Sequence, residues 1–277
     1  MASELPGPHE GRRVSDAPDT LLAAVEQVAR LAGDIALGYF QSQLAVESKA
    51  DGSPVTIADR SAEQAARDWI ELHFPLDGIL GEELGLTRPK APRRWVVDPI
   101  DGTKTFIHGV PLWGTLVGVC EGDRVVAGAA YFPAVGEMLA AAPSAGCWWN
   151  GARCQVSTLA TVAESTVLTT DERFRNDAGY RDGWRRLANR ALISRSWGDC
   201  YGYLLVSTGR AEAMVDGMLA PWDAAALLPI IEEAGGVFTD WRGTRTAFGG
   251  SAVATNQGVA AESRLLLDTG TTRDVDA

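Results

Sequence analysis

The sequence predicts an α/β protein in two consecutive parts, an α+β half followed by an α/β half. Three observations carry this. Apolar residues recur at helical spacing early in the chain; the period changes to that of strands between 112 and about 156; short β-rich runs then alternate with helical segments. The expected organisation is a disordered polar tail over 1–18, a first half over 19–156, a second over 157–268 and a short C-terminal tail over 269–277.

Val25, Val28, Ala32, Ile35 and Tyr39 share one face of a helix over residues 20–40, with Asp19 or Thr20 placed to cap it. A second helix is expected from Thr56 through Ile57, Ser61, Ala65, Trp69 and Leu72 until Pro75 stops it. Asp59 then lies in its first turn, where free backbone N–H groups favour a carboxylate. LWGTLVGVCEGDRVVAGAAYF holds two β-rich runs around Glu121-Gly122-Asp123, and PAVGE leads into a third, the pattern of an antiparallel meander. Beyond 157, STVLTT, ALISRSW, AEAMVD, GGVFTD and SAVATN are strand candidates, with helices near 178–190, 199–208, 222–234 and 257–267.

Composition narrows the function. With 46% hydrophobic and 22% charged residues, 277 residues suffice for a large globular core. A net charge of −11 disfavours nucleic acid and anionic membrane surfaces as partners, because phosphates require Lys and Arg. No apolar run approaches the roughly 20 residues of a membrane-spanning helix, and the polar N-terminus has no signal-peptide character. Cys120, Cys147, Cys154 and Cys200 lack paired CxxC spacing, so a reducing cytoplasm is expected rather than a zinc site or disulfide framework. Only three lysines and three histidines are present, too few for chemistry that needs several of either.

The carboxylates are the informative residues. Glu82-Glu83 in GILGEELG reads by itself as a solvated loop pair, and Asp223 at the start of WDAAALLPIIEEAGG as an N-cap. WVVDPIDGTKTF, residues 95–106, resists such a reading, because Asp98 and Asp101 follow an apolar strand and a buried carboxylate needs a cation or hydrogen bonds. Pro99 and the spacing of three hold both on one tight turn. Gly102 and Thr103 then offer backbone N–H groups at a helix start, an anion site. Carboxylates for a hard cation beside N–H groups for an oxyanion describe a metal-dependent phosphate site.

GEE, DPIDGTKTF and WDAAALLPIIEEAGG, preceded by Lys49 and SPVTIAD (53–59), resemble the inositol monophosphatase family of Mg²⁺-dependent, Li⁺-sensitive phosphatases. The resemblance spans roughly residues 20–267. It implies a layered αβαβα sandwich with two to three Mg²⁺ between the halves, and a homodimer. On it, Glu82, Asp98 and the Ile100 carbonyl hold one Mg²⁺; Asp98, Asp101 and Asp223 hold a second, with Asp98 bridging; Glu82 also helps a weaker third. It further implies that Gly102 and Thr103 bind phosphate and that Asp59 hydrogen-bonds the Thr103 hydroxyl. Glu82 and the Thr103–Asp59 pair then orient a metal-activated water for direct in-line attack and accept its proton. Haloacid dehalogenase phosphatases, with an aspartyl nucleophile in DxDGT, are the rival in the same letters. The DxxDGT spacing here misplaces their nucleophile and acid, and no lysine follows Lys104.

Arg195, Gly198 and Asp199 in RSWGDCYGY, together with DGTK, resemble the family's histidinol-phosphate phosphatases, although Trp197 replaces an expected Tyr. Asp199 stands where inositol phosphatases tend to show a small neutral residue. Asp216 lies seven residues before Asp223, at the position of their sugar-contacting Glu. Two acids near the leaving group favour a cationic one. Asp199 as a mere helix cap, and Arg195 as a surface residue or a contact from a neighbouring subunit, stay open. Inositol 1-phosphate is the alternative substrate and a nucleotide 3′-phosphate a more distant one. A catalytically inactive binding protein on this scaffold should have lost a metal-ligating acid, and none is missing. Trp148-Trp149 reads either as an interface anchor or as a pair split between core and half-exposed face.

Overall fold

A computed structural model describes residues 18–175 and 177–269. The expected tails lie outside these residues except for Pro18, which opens the first helix, and Thr269. Helices α1 (Pro18–Tyr39) and α2 (Ile57–His73) bracket a small ladder of β1 (Glu47–Ser48) and β2 (Pro54–Val55). An eight-stranded sheet follows, built from β3 (Gly78–Gly81), β4 (Gly85–Thr87), β5 (Arg93–Asp101), β6 (Gly114–Glu121), β7 (Arg124–Phe132), β8 (Glu137–Ala142), β9 (Gly146–Trp149) and β10 (Ala152–Arg153). Its order is β10-β9-β8-β7-β6-β5-β3-β4, antiparallel except where β3 runs alongside β5. The expected meander is β6 to β9, with Gly122 at φ +61° in its first turn. α3 (Thr103–Ile107) follows β5.

The second sheet has the order β12-β11-β13-β15-β14: β11 (Thr166–Leu168), β12 (Ile193–Arg195), β13 (Ala213–Asp216), β14 (Val237–Thr239) and β15 (Ala252–Thr255). Between its strands come α4 (Ala178–Arg190), α5 (Asp199–Ser207), α6 (Pro221–Ala224) and α7 (Leu227–Glu233), and α8 (Ala260–Leu267) follows β15.

Alternation along β5 shows how the layers stack. Trp95 and Val97 face the cluster formed with α1 and α2, whereas Val96 faces Leu204, Leu228 and Ile231 of α5 and α7. Those middle helices also cover Leu168, Met214 and Ala254 of the second sheet, whose opposite face (Val167, Val215, Val253) packs on Trp184 and Leu187 of α4 and Leu267 of α8. The result is the αβαβα sandwich.

Three local expectations shift. α1 begins at Pro18, so Asp19 and Thr20 lie inside its first turn rather than capping it. The buried face of α2 is Ala58, Ala62, Ala66 and Ile70, while Ile57 and Leu72 are exposed. Alanines let α2 lie close to its neighbours, and Asp59, Glu63 and Arg67 share that buried side because each finds polar partners. The helix expected over 222–234 is two pieces, because Pro229 has no N–H to give the Ala225 carbonyl.

Candidate active site

A β-bulge at the end of β5 builds the centre of the site. Asp98 pairs with Leu116 and Asp101 with Gly114, so Pro99 and Ile100 together oppose Thr115. Residues three apart on a regular strand point to opposite faces. The extra residue brings both carboxylates to one face and turns Ile100 into the cluster below α1 and α2. The displaced backbone is satisfied: Thr115 Oγ1 donates to the Pro99 carbonyl (2.8 Å), and the Ile100 N–H donates to Asp98 Oδ1 (3.0 Å).

Parallel pairing sets Gly81 of β3 level with Val97, and so delivers Glu82 beside Asp98; the Glu82 N–H donates to the Val97 carbonyl at 3.2 Å. Glu82 and Glu83 are not a solvated pair. Their side chains are 18% and 5% exposed, and Lys49 Nζ lies 2.7 Å from one and 2.5 Å from the other. Burial opposes the Lys49 charge, but hydrogen bonds to the two glutamates prevail and raise its pKa, while burial pushes Glu83 up to about 7.

Asp223 comes from the middle layer. It is the third residue of α6, which Pro221 starts, and its Oδ2 accepts the Ala220 N–H at 2.7 Å. It therefore reaches back to the helix start instead of capping it from outside. One oxygen each from Asp98, Asp101 and Asp223 lie within 4.8 Å of one another. No cationic side chain pairs with any of the three among the described residues. Burial raises all three pKa values, Asp98 and Asp101 well above the carboxylate range and Asp223 to about 7. Mutual repulsion adds to this: Glu82, Asp101 and Asp223 act on Asp98, and Asp199 and Asp223 on Asp101. The Cys200 N–H, 2.5 Å from Asp101 Oδ2, works the other way. The Cys200 thiol also hydrogen-bonds Asp101, but burial raises its pKa and keeps it protonated, so the clustered carboxylate oxygens are the available donors and fit a small hard cation such as Mg²⁺ rather than zinc.

Gly102 caps α3 at φ +84°, and a Cβ there would stand 2.9 Å from Asp199 Oδ2, so only glycine fits. The Thr103 hydroxyl lies 3.0 Å from the Ile100 carbonyl and 3.4 Å from Asp59 Oδ1; the nearer contact is the carbonyl. Asp59 is held by Thr56, whose N–H (2.8 Å) and hydroxyl (2.7 Å) both donate to Oδ2, and burial raises its pKa.

Beside the cluster is a cavity of about 110 Å³ whose wall includes Asp101, Thr170, Asp199, Tyr203, Asp216 and Asp223. Asp199 opens α5 at φ +50° but does not cap it with its side chain. Its Oδ2 accepts the Thr105 hydroxyl (2.9 Å) and its N–H donates to Thr170 Oγ1 (2.8 Å). Asp216 accepts the Thr170 N–H (3.1 Å) and the Tyr203 hydroxyl (3.0 Å), and burial raises its pKa to about 6. Two anticipated residues are not on this wall. Arg195 is exposed, with Nη1 on the Ser194 carbonyl (2.7 Å), and Gly198 packs against Thr170 as the N-cap of α5. Sequence reasoning missed Thr105, Thr170, Tyr203 and the Cys200 N–H. Thr105 lies within DGTKTF, whereas Thr170 and Tyr203 carry no signal of their own. Trp148 and Trp149 are both half-buried, under Arg153 and Arg210 respectively.

Comparison with known proteins accords with this geometry. The model of the inositol monophosphatase family matches residues 17–276. A histidinol-phosphatase of Chlorobaculum parvum is 43% identical over 237 residues, covering 85% of this chain and 91% of that protein. One from Streptomyces coelicolor is 35% identical, over 77% of this chain and 83% of its own length. Among solved structures, an inositol monophosphatase from Zymomonas mobilis superposes with a TM-score of 0.82 at 32% identity, covering 91% of this chain and 99% of that one. The chain belongs to the inositol monophosphatase family and is, with it, a phosphoric monoester hydrolase.

Proposed function

We propose that the protein hydrolyses L-histidinol phosphate to L-histidinol and phosphate, a step of histidine biosynthesis, as a Mg²⁺-dependent, Li⁺-sensitive homodimer of the cytoplasm. The observation that carries the substrate is the pair of acids on the cavity wall, Asp199 and Asp216, beside the carboxylate cluster. Histidinol carries an ammonium group and a protonatable imidazole, for which two hydrogen-bonded carboxylates, Asp216 buried and Asp199 half-buried, are complementary. The likeness to histidinol-phosphatases supports the same choice.

Residues 19–156 supply Glu82, Asp98, Asp101 and the Ile100 carbonyl to the cations, and residues 157–268 supply Asp223 and the leaving-group pocket. Two to three Mg²⁺ bound there would neutralise phosphate and lower the pKa of a water. The N–H groups of Gly102 and Thr103, at the start of α3, bind the phosphate oxygens. Thr103 Oγ1 and Asp59 Oδ1 orient the attacking water together with Glu82, and the proton passes to this set. No side chain is phosphorylated. Asp199 and Asp216 hold the departing amino alcohol. Arg195, exposed on β12, and Gly198, the N-cap of α5, complete the substrate contacts, Arg195 from its own or a neighbouring subunit.

The test is kcat/KM for L-histidinol phosphate against inositol 1-phosphate at the same Mg²⁺. A preference of at least about tenfold is expected, the worth of one charge-assisted hydrogen bond. A preference for inositol 1-phosphate would assign that substrate instead, in line with the family match. No Mg²⁺-dependent phosphate release from a broad monoester panel would leave only a binding role.

A further inference from the structure

We propose that Glu63 is the positioning residue for the metal-ligating Glu82, acting with Arg67 as a buried clamp on the turn that presents it. Glu63 is fully buried, one helical turn beyond Asp59 on α2. Its carboxylate accepts the Glu83 N–H (2.7 Å), the Leu84 N–H (3.1 Å) and Arg67 Nε (2.7 Å). Arg67 Nη2 in turn donates to the Gly85 carbonyl. Gly81 completes the enclosure, because a Cβ there would stand 1.9 Å from Glu63 Oε1. Residues 83, 84 and 85 are thus hydrogen-bonded by the pair, and Gly81 packs directly against it. Glu82 is left with its N–H on β5 and its carboxylate toward Lys49 and Asp98.

The arrangement suits orientation better than bulk stability. A buried ion pair is often replaceable by apolar residues without loss, yet here both charges are spent on main-chain groups of one five-residue turn. α2 also carries Asp59, so a single rigid helix sets the Thr103 hydroxyl and the Glu82 carboxylate relative to each other. Supporting residues of this kind commonly govern metal affinity by about 10–100-fold.

This inference rests on the reading that Glu82 holds a cation. The test compares the full-length wild type with Glu63→Gln by calorimetric titration of Mg²⁺ without substrate, by the Mg²⁺ dependence of turnover, and by KM at saturating Mg²⁺. Expected are Mg²⁺ binding and half-saturation about tenfold weaker in the variant, with KM changed less than twofold. Should the single variant not fold, Glu63→Gln combined with Arg67→Met, which leaves no unpaired buried charge, is expected to show the same loss. Mg²⁺ affinity within twofold of wild type in a folded variant, or failure of both variants to fold, would overturn the assignment by leaving the clamp a purely structural role. A wild type that binds no Mg²⁺ would overturn it through the underlying reading, which the wild-type arm reports separately.

Discussion

The two ends of β5 bury carboxylates in opposite ways. At the first end Asp77, 6% exposed, accepts from Arg93 Nε (2.7 Å) and from the indole N–H of Trp95 (2.8 Å). At the other, Asp98 and Asp101 gather with Asp223 and receive the Ile100 and Cys200 N–H groups, with no cationic side chain on them among the described residues. Burial alone therefore marks nothing as functional in this molecule. What separates the ends is compensation: one acid has its countercharge supplied by β5, and the other set has none from a side chain among the described residues, which is what the proposed cations would provide.

Substitution should split the two ends sharply. Asp98→Asn, which on the proposed metal reading removes a ligand common to both principal cations, is expected to lower kcat by at least about 10³-fold in a phosphate-release assay. The same change should raise the melting temperature of the metal-free protein, because it relieves repulsion. Asp77→Ala is its counterpart. It removes the acceptor shared by the half-buried Arg93 guanidinium and the buried Trp95 indole N–H and should cost about 3 kcal/mol in denaturant unfolding while kcat of the folded protein holds. A large stability loss for Asp98→Asn without metal would erase the distinction between the ends.

Metal and pH sharpen the comparison further. Saturation with Mg²⁺ at about 100 times its Kd should add about 2.7 kcal/mol, a rise of roughly 5–10 °C in melting temperature. Asp216 and Asp223 titrate near 6 and 7 in the folded state, above the usual carboxylate value of 3.8 that the unfolded chain retains. At these two sites the folded metal-free protein therefore binds more protons than the unfolded chain above about pH 4, and the stability they contribute is lost as pH rises from about 4 through about 7. Cations compete with those protons, so the Mg²⁺-induced rise should be larger at pH 8 than at pH 5. Equal rises at both would show that the cluster is already ionised without metal. The smallest effect is the most selective: Asp199→Asn should raise KM for L-histidinol phosphate about tenfold and leave a neutral phosphate ester nearly unchanged. Equal losses for both would reduce Asp199 to the partner of Thr105.

The motifs made the layered fold and the acidic cluster legible, because DPIDGTKTF states a strand, two carboxylates and a helix start within a few residues. The period-two pattern likewise placed the meander, whose strands follow one another in space as in sequence. Legibility ended where placement depends on residues far apart. The buried side of α2 was misjudged by one position, since an apolar count favours Ile57 and Leu72 and cannot see that Glu63 will be satisfied by residues twenty positions away. For Asp199 the sequence offers two readings, a leaving-group contact implied by the resemblance and a mere helix cap. Only the packing of α5 against the 102–105 segment shows that the carboxylate belongs to Thr105 and to the cavity. Arg195 lies in the same motif as Asp199, yet β12 is an edge strand that leaves it exposed.

The two-against-one pairing at Pro99 and Ile100 also fixes how many oxygen atoms the strand can donate. Removing one of those residues would restore an even ladder and, with the aspartates then two apart, would still keep both carboxylates on one face. The remaining carbonyl would be drawn back into pairing with the neighbouring strand, and the sheet would gain regularity. On the proposed metal reading, a shortened β5 would thus be a better strand and a poorer chelator. Deletion, unlike any substitution, separates what the carboxylates supply from what the freed main chain supplies.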